Sequence, residues 1–199
     1  LFGPTLRETR RLEEVTENGF AVSDETPVKY EHFRTVFGVH ARVVKAILNR
    51  YPYYDPNYWH SDLNAGQGSS RCGDGSPIIA VETLREMGFQ YKAILIERDD
   101  NTYAQLRACL AERSLTLGVE AFCEDHADVL PRYFDARSQR YGMIFADPSG
   151  DLPNFDLLAE ASRQWCFRKT DILVYVSATN IKRQRCSPKC KCVKRFREY

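Results

Sequence analysis

No apolar run in this 199-residue chain approaches the roughly 18–20 residues that a membrane-spanning helix needs, so no membrane insertion is expected. The opening text is charged (Leu6-Arg7-Glu8-Thr9-Arg10-Arg11) and lacks the apolar core of a secretory leader. The chain starts at Leu1 rather than Met, and residues preceding it are expected. Disulfide-framework spacing is also missing. Seven cysteines is an odd number, and Cys72, Cys109, Cys123 and Cys166 are scattered without pairing. A reduced, cytoplasmic protein accounts for that better than a secreted scaffold. There is no internal repeat, no Gly-Lys-Ser/Thr ending of a phosphate-binding loop and no full dinucleotide fingerprint.

What is present is ordinary globular composition, 43% hydrophobic and 28% charged, enough to exclude disorder over most of the length. The size suits one α/β domain with a short appended arm. A net charge of +1 hides an asymmetry. Eight basic residues and no acid lie between Lys182 and Arg197, leaving 20 basic against 27 acidic residues elsewhere. An acidic body with a basic end predicts an anionic partner at that end. The expected division is a lead-in over 1–26, a main domain over 27–181 and a basic, cysteine-containing segment over 182–199.

Thr26-Pro27 reads as a helix start, with the hydroxyl as cap and proline in the first turn. Phe33, Val36, Phe37, Val39, Val43, Val44, Ile47 and Leu48 carry the helical spacing on to about Asn49. Strands are predicted at 58–63, 91–97, 119–123, 141–146 and 171–177. Helices are predicted from Ser76-Pro77 to near Gly88, over 100–114 and over 153–168, with mixed helix and loop over 126–138. Residues 1–26 read as an extended lead-in or short helix, with Asn18-Gly19 as a turn. Strand and helix alternate throughout, which predicts a Rossmann-like, mainly parallel sheet with helices on both faces.

Ligands of such sheets collect beyond the carboxyl ends of the strands, and four strand ends carry suggestive chemistry. The first runs Asp62-Leu63-Asn64-Ala65-Gly66-Gln67-Gly68, where glycines permit a sharp turn and close approach to a ligand. The second is Glu97-Arg98, whose carboxylate is suited to the two hydroxyls of a ribose. Glu124-Asp125 follows the third strand and suits an adenine amino group. The fourth is Asp147-Pro148-Ser149-Gly150. A carboxylate and a proline carbonyl are both acceptors, and together they suit an exocyclic amino group. Each feature alone also has an ordinary reading as a turn or a solvated acid. Their succession in order along the chain is what points to a site.

In that order these residues resemble the motif series of class I S-adenosylmethionine-dependent methyltransferases. Asp62, Asn64, Ala65, Gly66 and Gly68 correspond to the first motif, Glu97 with Arg98 to the ribose acid, and Glu124-Asp125 to the adenine side. Asp147-Pro148-Ser149 resembles the catalytic Asp-Pro-Pro-aromatic motif of amino-group enzymes, with Asp147 also beside the cofactor. Lys29, in Thr26-Pro27-Val28-Lys29-Tyr30, stands where N6-adenine enzymes keep another cofactor-contacting stretch. More narrowly, the Gly75-Ser76-Pro77-Ile78-Ile79-Ala80 stretch, with the motifs on either side of it, resembles the three-Cys-motif partner family over roughly residues 26–180. The resemblance departs at Gly150, where an aromatic residue is usual, and at Ser149, where a second proline is. Phe155 is the nearest candidate to supply the stacking ring.

The resemblance implies S-adenosylmethionine as cofactor and methyl transfer to a base amino group in nucleic acid, adenine N6 in DNA ahead of RNA. Lys182, Arg183, Arg185, Lys194 and Arg195 are the candidate phosphate contacts. No target-recognition domain is visible, so a protein partner is a candidate source of specificity. A catalytically silent binding module and a methyltransferase for RNA or a small molecule are the competing readings. Cys186, Cys190 and Cys192 stand amid lysines without Cys-x-x-Cys spacing or a nearby fourth ligand. A basic, thiol-bearing segment is preferred there over a zinc site.

Overall fold

The computed structural model describes residues 26–135, 137–149 and 151–176, together with a two-residue antiparallel ladder of Glu14–Val15 with Ala21–Val22. Those four residues are extended, the first of the two forms expected for the lead-in. The basic segment, including Lys182, Arg183, Arg185, Lys194 and Arg195, the cysteines Cys186, Cys190 and Cys192, and the boundary at 181 lie outside the described residues, as does Gly150.

Five strands form the central sheet: β1 (Asn57–Asp62), β2 (Gln90–Ile96), β3 (Val119–Phe122), β4 (Tyr141–Ala146) and β5 (Thr170–Val174). Their spatial order is β3-β2-β1-β4-β5, and every neighbouring pair is parallel. The chain therefore builds outward from β1 to β3, then crosses back to lay β4 on the other side. That reversal is the switch point where Rossmann-type sheets open a crevice.

The helices are α1 (Thr26–Arg50), α2 (Ser76–Glu86), α3 (Asp100–Glu112), α4 (His126–Val129), which runs into a 3₁₀ turn at Leu130–Tyr133, and α5 (Phe155–Arg163). Strand alternation sorts them onto two faces. Tyr58, Met143 and Phe145 pack against Phe33, Phe37, Ala41 and Val44 of α1 and Ile79 and Leu84 of α2. Ala93 and Leu95 meet Ile78, Val81, Leu106 and Leu110 of α2 and α3. On the opposite face Trp59, Ile94, Ile96 and Ile144 pack against Val129, Leu130, Leu157, Leu158 and Ala161. The expected helices on both faces are present.

Start signals act as their chemistry dictates. Asp99 accepts from the Thr102 amide at 2.9 Å at the head of α3, and Asn154 accepts from the Leu157 amide at 3.1 Å at the head of α5, each satisfying an orphan donor of the first turn. The helix expected over 153–168 is shorter. Gln164 turns extended (φ −70°, ψ 136°) and a 3₁₀ turn follows at Trp165–Phe167. No helix among the described residues is long and apolar enough to cross a membrane.

β1 is the central strand, covered on both faces, yet it carries polar text. His60, Ser61 and Asp62 are completely buried. Ser61 Oγ accepts from the Trp59 indole at 3.0 Å, whereas neither ring nitrogen of His60 makes a hydrogen bond of good geometry among the described residues. Burial holds His60 down to about 3, so the ring is neutral at ordinary pH.

Candidate functional site

At the carboxyl end of β1 the chain continues the sheet for one more step on each side. The Leu63 amide donates to the Phe145 carbonyl and the Ala65 amide to the Ile96 carbonyl, both at 2.9 Å. The chain then turns at Gly66 (φ +64°) and Gly68 (φ +87°), left-handed backbone that glycine adopts without penalty. A Cβ on Gly68 would also press to 3.3 Å from Cys109 and Leu106.

The Gly66 amide donates to Glu97 Oε2 at 3.0 Å, and the Asp99 amide donates to Glu97 Oε1 at 2.9 Å. Each carboxylate oxygen thus holds one backbone donor and retains a further acceptor position. The glutamate at the end of β2 is fixed in orientation by the loops after β1 and β2 before any ligand arrives.

The loop is fastened from behind by Gly75-Ser76-Pro77. Gly75 donates its amide to the Gly68 carbonyl at 2.7 Å. Ser76, at the head of α2, donates its hydroxyl to Asp62 Oδ2 at 2.6 Å, and the Asn64 amide reaches Asp62 Oδ1 at 3.1 Å. Asp62 is therefore a buried anchor beneath the loop. Burial pushes its carboxyl up to about 7; the Ser76 and Asn64 bonds pull it back, and the charges of Asp147 and Glu97 push it further up. The role of Gly75-Ser76-Pro77 is not legible from the sequence, because its partners stand on the far side of a turn.

The loop after β3 brings Glu124 and Asp125. Glu124 is ion-paired with Arg132 through both oxygens. Asp125 caps α4 by accepting from the Ala127 amide at 2.8 Å, and its other oxygen faces Arg98 at 3.6 Å. After β4, Asp147 meets Lys29 from the first turn of α1, with Nζ 2.6 Å from Oδ2 and both side chains largely buried. The Lys29 ammonium also lies 4.9 Å from the ring centroid of Tyr30 and 5.2 Å from that of Tyr175. Burial pulls the lysine downward, but Asp147 and the two tyrosines outweigh it and the net shift is upward.

These elements enclose one cavity of about 750 Å³, within the roughly 300–1,000 Å³ usual for small-molecule sites. Lys29, Asn64, Ala65, Gly66, Gly68, Glu97, Arg98, Glu124, Asp125, Pro148 and Ser149 all line it. Asp62 and Asp147 do not: the first lies under the floor, and the second adjoins the wall through Lys29 and Pro148. Phe155 is not on the wall either; Leu152 and Asn154 stand there instead. Sequence reasoning missed Tyr30, Thr102 and His126 on the wall, and Tyr175 behind Lys29. No group of three or more metal-ligating side chains occurs among the described residues.

No protein-family model matches the chain, and no curated protein does. Among solved structures the chain is similar to S-adenosylmethionine-dependent methyltransferases. One from Agrobacterium tumefaciens shares 13% identity at a TM-score of 0.40, over 64% of this chain and 32% of that protein. An rRNA methylase from Streptococcus thermophilus shares 13% identity at 0.42, over 75% and 72%. Coclaurine N-methyltransferase, bound to N-methylheliamine and SAH, shares 12% at 0.38, over 68% and 35%. The chain thus spans about a third of the length of the Agrobacterium protein. Its fold is Rossmann-like by its own strand order.

Proposed function

We propose that this chain is an S-adenosylmethionine-dependent methyltransferase that modifies an amino nitrogen. The observation that carries the reading is Glu97, clamped by the Gly66 and Asp99 amides on the wall of a cavity bounded by Pro148 and Ser149 at the next switch strand. A carboxylate so oriented suits the two hydroxyls of a ribose. The donor set fits the cofactor: Glu97 for the ribose, Asp125 on the adenine side, the Asn64–Gly68 backbone beneath, and Lys29 as the cation for an amino-acid carboxylate. Bound S-adenosylmethionine supplies an electrophilic methyl group.

The chain's own part is positioning. Asp147 and the Pro148 carbonyl accept hydrogen bonds from the acceptor amine and hold its lone pair towards the cavity. Rate comes from this orientation in a partly dry site. The acceptor class favoured is a nucleic-acid base, adenine N6 in DNA ahead of RNA. Its support is the likeness of Asp147-Pro148-Ser149 to amino-group motifs, the further likeness to three-Cys-motif partner proteins, and the basic residues 182–197. A duplex target must leave the stack to reach Asp147. Specificity supplied by a protein partner and a cytoplasmic location belong to the same reading. A silent cofactor-binding module is the second reading, favoured by the ion pair that occupies Asp147.

Incubation with labelled cofactor and mixed DNA and RNA, followed by nucleoside mass spectrometry, tests it. A labelled N6-methyladenine is expected, and Asp147→Ala should reduce it on the order of 100-fold or more with cofactor binding retained. Cofactor binding with no transfer to either nucleic acid selects the silent module, and wild-type turnover in Asp147→Ala refutes the assigned site.

A further inference from the structure

We propose that Lys29 is a two-position switch that makes acceptor binding depend on prior cofactor binding. The inference rests on reading the cavity as an S-adenosylmethionine site. Lys29 lines that cavity and pairs its ammonium with Asp147. It joins the first turn of α1 to the end of β4 across 118 residues of sequence, and the Tyr30 and Tyr175 rings help hold its ammonium there.

In this position Asp147 commits Oδ2 to a full positive charge. A neutral amine competes poorly for that oxygen, because it lacks the opposite charge whose attraction is strengthened away from bulk water. The amino-acid end of the cofactor carries a second carboxylate into the same cavity. Two acids then compete for one ammonium. When Lys29 turns to the cofactor, Asp147 loses its counterion and opens as an acceptor. With the cavity empty, the pair stays closed and Oδ2 is not open to an acceptor amine. Linkage requires the converse as well: a change at Asp147 that loosens its hold on Lys29, with the ammonium kept, must strengthen the grip on the cofactor carboxylate.

Titration calorimetry on the full chain with two probes tests this. S-adenosylhomocysteine carries the carboxylate, and methylthioadenosine lacks the whole amino-acid arm. Asp147→Asn removes the competing charge at constant shape and should tighten S-adenosylhomocysteine about 5-fold or more, leaving methylthioadenosine unchanged. Lys29→Met should erase most of the wild-type preference for S-adenosylhomocysteine. If both variants keep the wild-type ratio of the two affinities, Lys29 is a fixed structural pair and the switch is overturned, with the cofactor reading intact. If the wild type binds neither nucleoside, the cofactor reading itself fails. Methylthioadenosine reports a folded site independently of Lys29, so a variant that loses it is misfolded and the ratio in the other variant decides.

Discussion

At the amino ends of the strands, Arg140 lies 3.9 Å from the ring centroid of Trp59 and donates to the Tyr133 carbonyl at 2.8 Å. Lys92 pairs with Glu120 at 2.8 Å, and the Tyr133 hydroxyl donates to the same carboxylate at 2.7 Å. His40 bridges the Tyr58 hydroxyl at 2.7 Å and Asp171 at 2.9 Å. At the carboxyl ends, Glu97 accepts from two backbone amides and Asp125 from one, with Arg98 3.6 Å from its other oxygen, and both keep acceptor positions beside a cavity. The two rims use the same residue types differently. One rim closes side chain on side chain, which serves stability. The other has such pairs too, Glu124 with Arg132 and Asp147 with Lys29, but it aims Glu97 and Asp125 with main-chain donors, which leaves them available to a ligand.

The sharpest way to break that contrast is to remove Trp59, which is 5% exposed and central to one core cluster. Trp59→Ala should cost about 3–5 kcal/mol in chemical denaturation, while nucleoside affinity of the folded fraction stays near wild type. A large loss of affinity at constant fold would mean the rims are not separate. The two buried groups of β1 come next, because they titrate with opposite sign. Asp62 is raised from 3.8 to about 7, so the folded state holds the extra proton and stability from this group falls as pH rises through that window. His60 is lowered from 6.5 to about 3, so the unfolded state holds the extra proton and stability from this group rises with pH. Between about pH 4 and 6.5 the two slopes oppose, each at most about 1.4 kcal/mol per pH unit. His60→Leu should therefore leave a stability that falls with pH, and Asp62→Asn one that rises. Matching profiles for the two variants would refute both assignments.

Smaller still is Glu97→Gln at the cavity rim. It should weaken S-adenosylhomocysteine by about tenfold, roughly 1.4 kcal/mol, with little change in melting temperature. A stability loss exceeding the binding loss would make Glu97 a structural cap. Smallest is Asp171→Asn at the opposite rim. Its carboxylate is 78% exposed, so the bond to His40 should be worth no more than about 1 kcal/mol, with no effect on binding.

The strands and helices were legible because parallel strands buried on both faces read as apolar runs and the helices carry cap and turn residues. The acids after β1 to β4 were legible for a related reason: a strand that stops delivers its next residue to the rim. The same rule fails for Tyr175, because the expected strand runs to 177 whereas β5 ends at Val174, and a three-residue error buries a rim residue on paper. Asp62 misleads in the other direction. It sits in a motif that points to ligand contact, yet on the central strand both faces are covered, and its side chain turns to Ser76. Lys29 was legible as a cavity residue by its place ahead of the first motif. Its pairing with Asp147 was not, since no local pattern links two residues 118 positions apart.

The 25 residues of α1 form a rod of roughly 37 Å at 1.5 Å per residue. Phe33, Phe37, Ala41 and Val44 bolt it to the sheet just beyond Lys29. An end so clamped does not swing. Any travel of the Lys29 ammonium is therefore a matter of its own bond rotations rather than of helix motion. Such a latch needs no loop or domain rearrangement to change position.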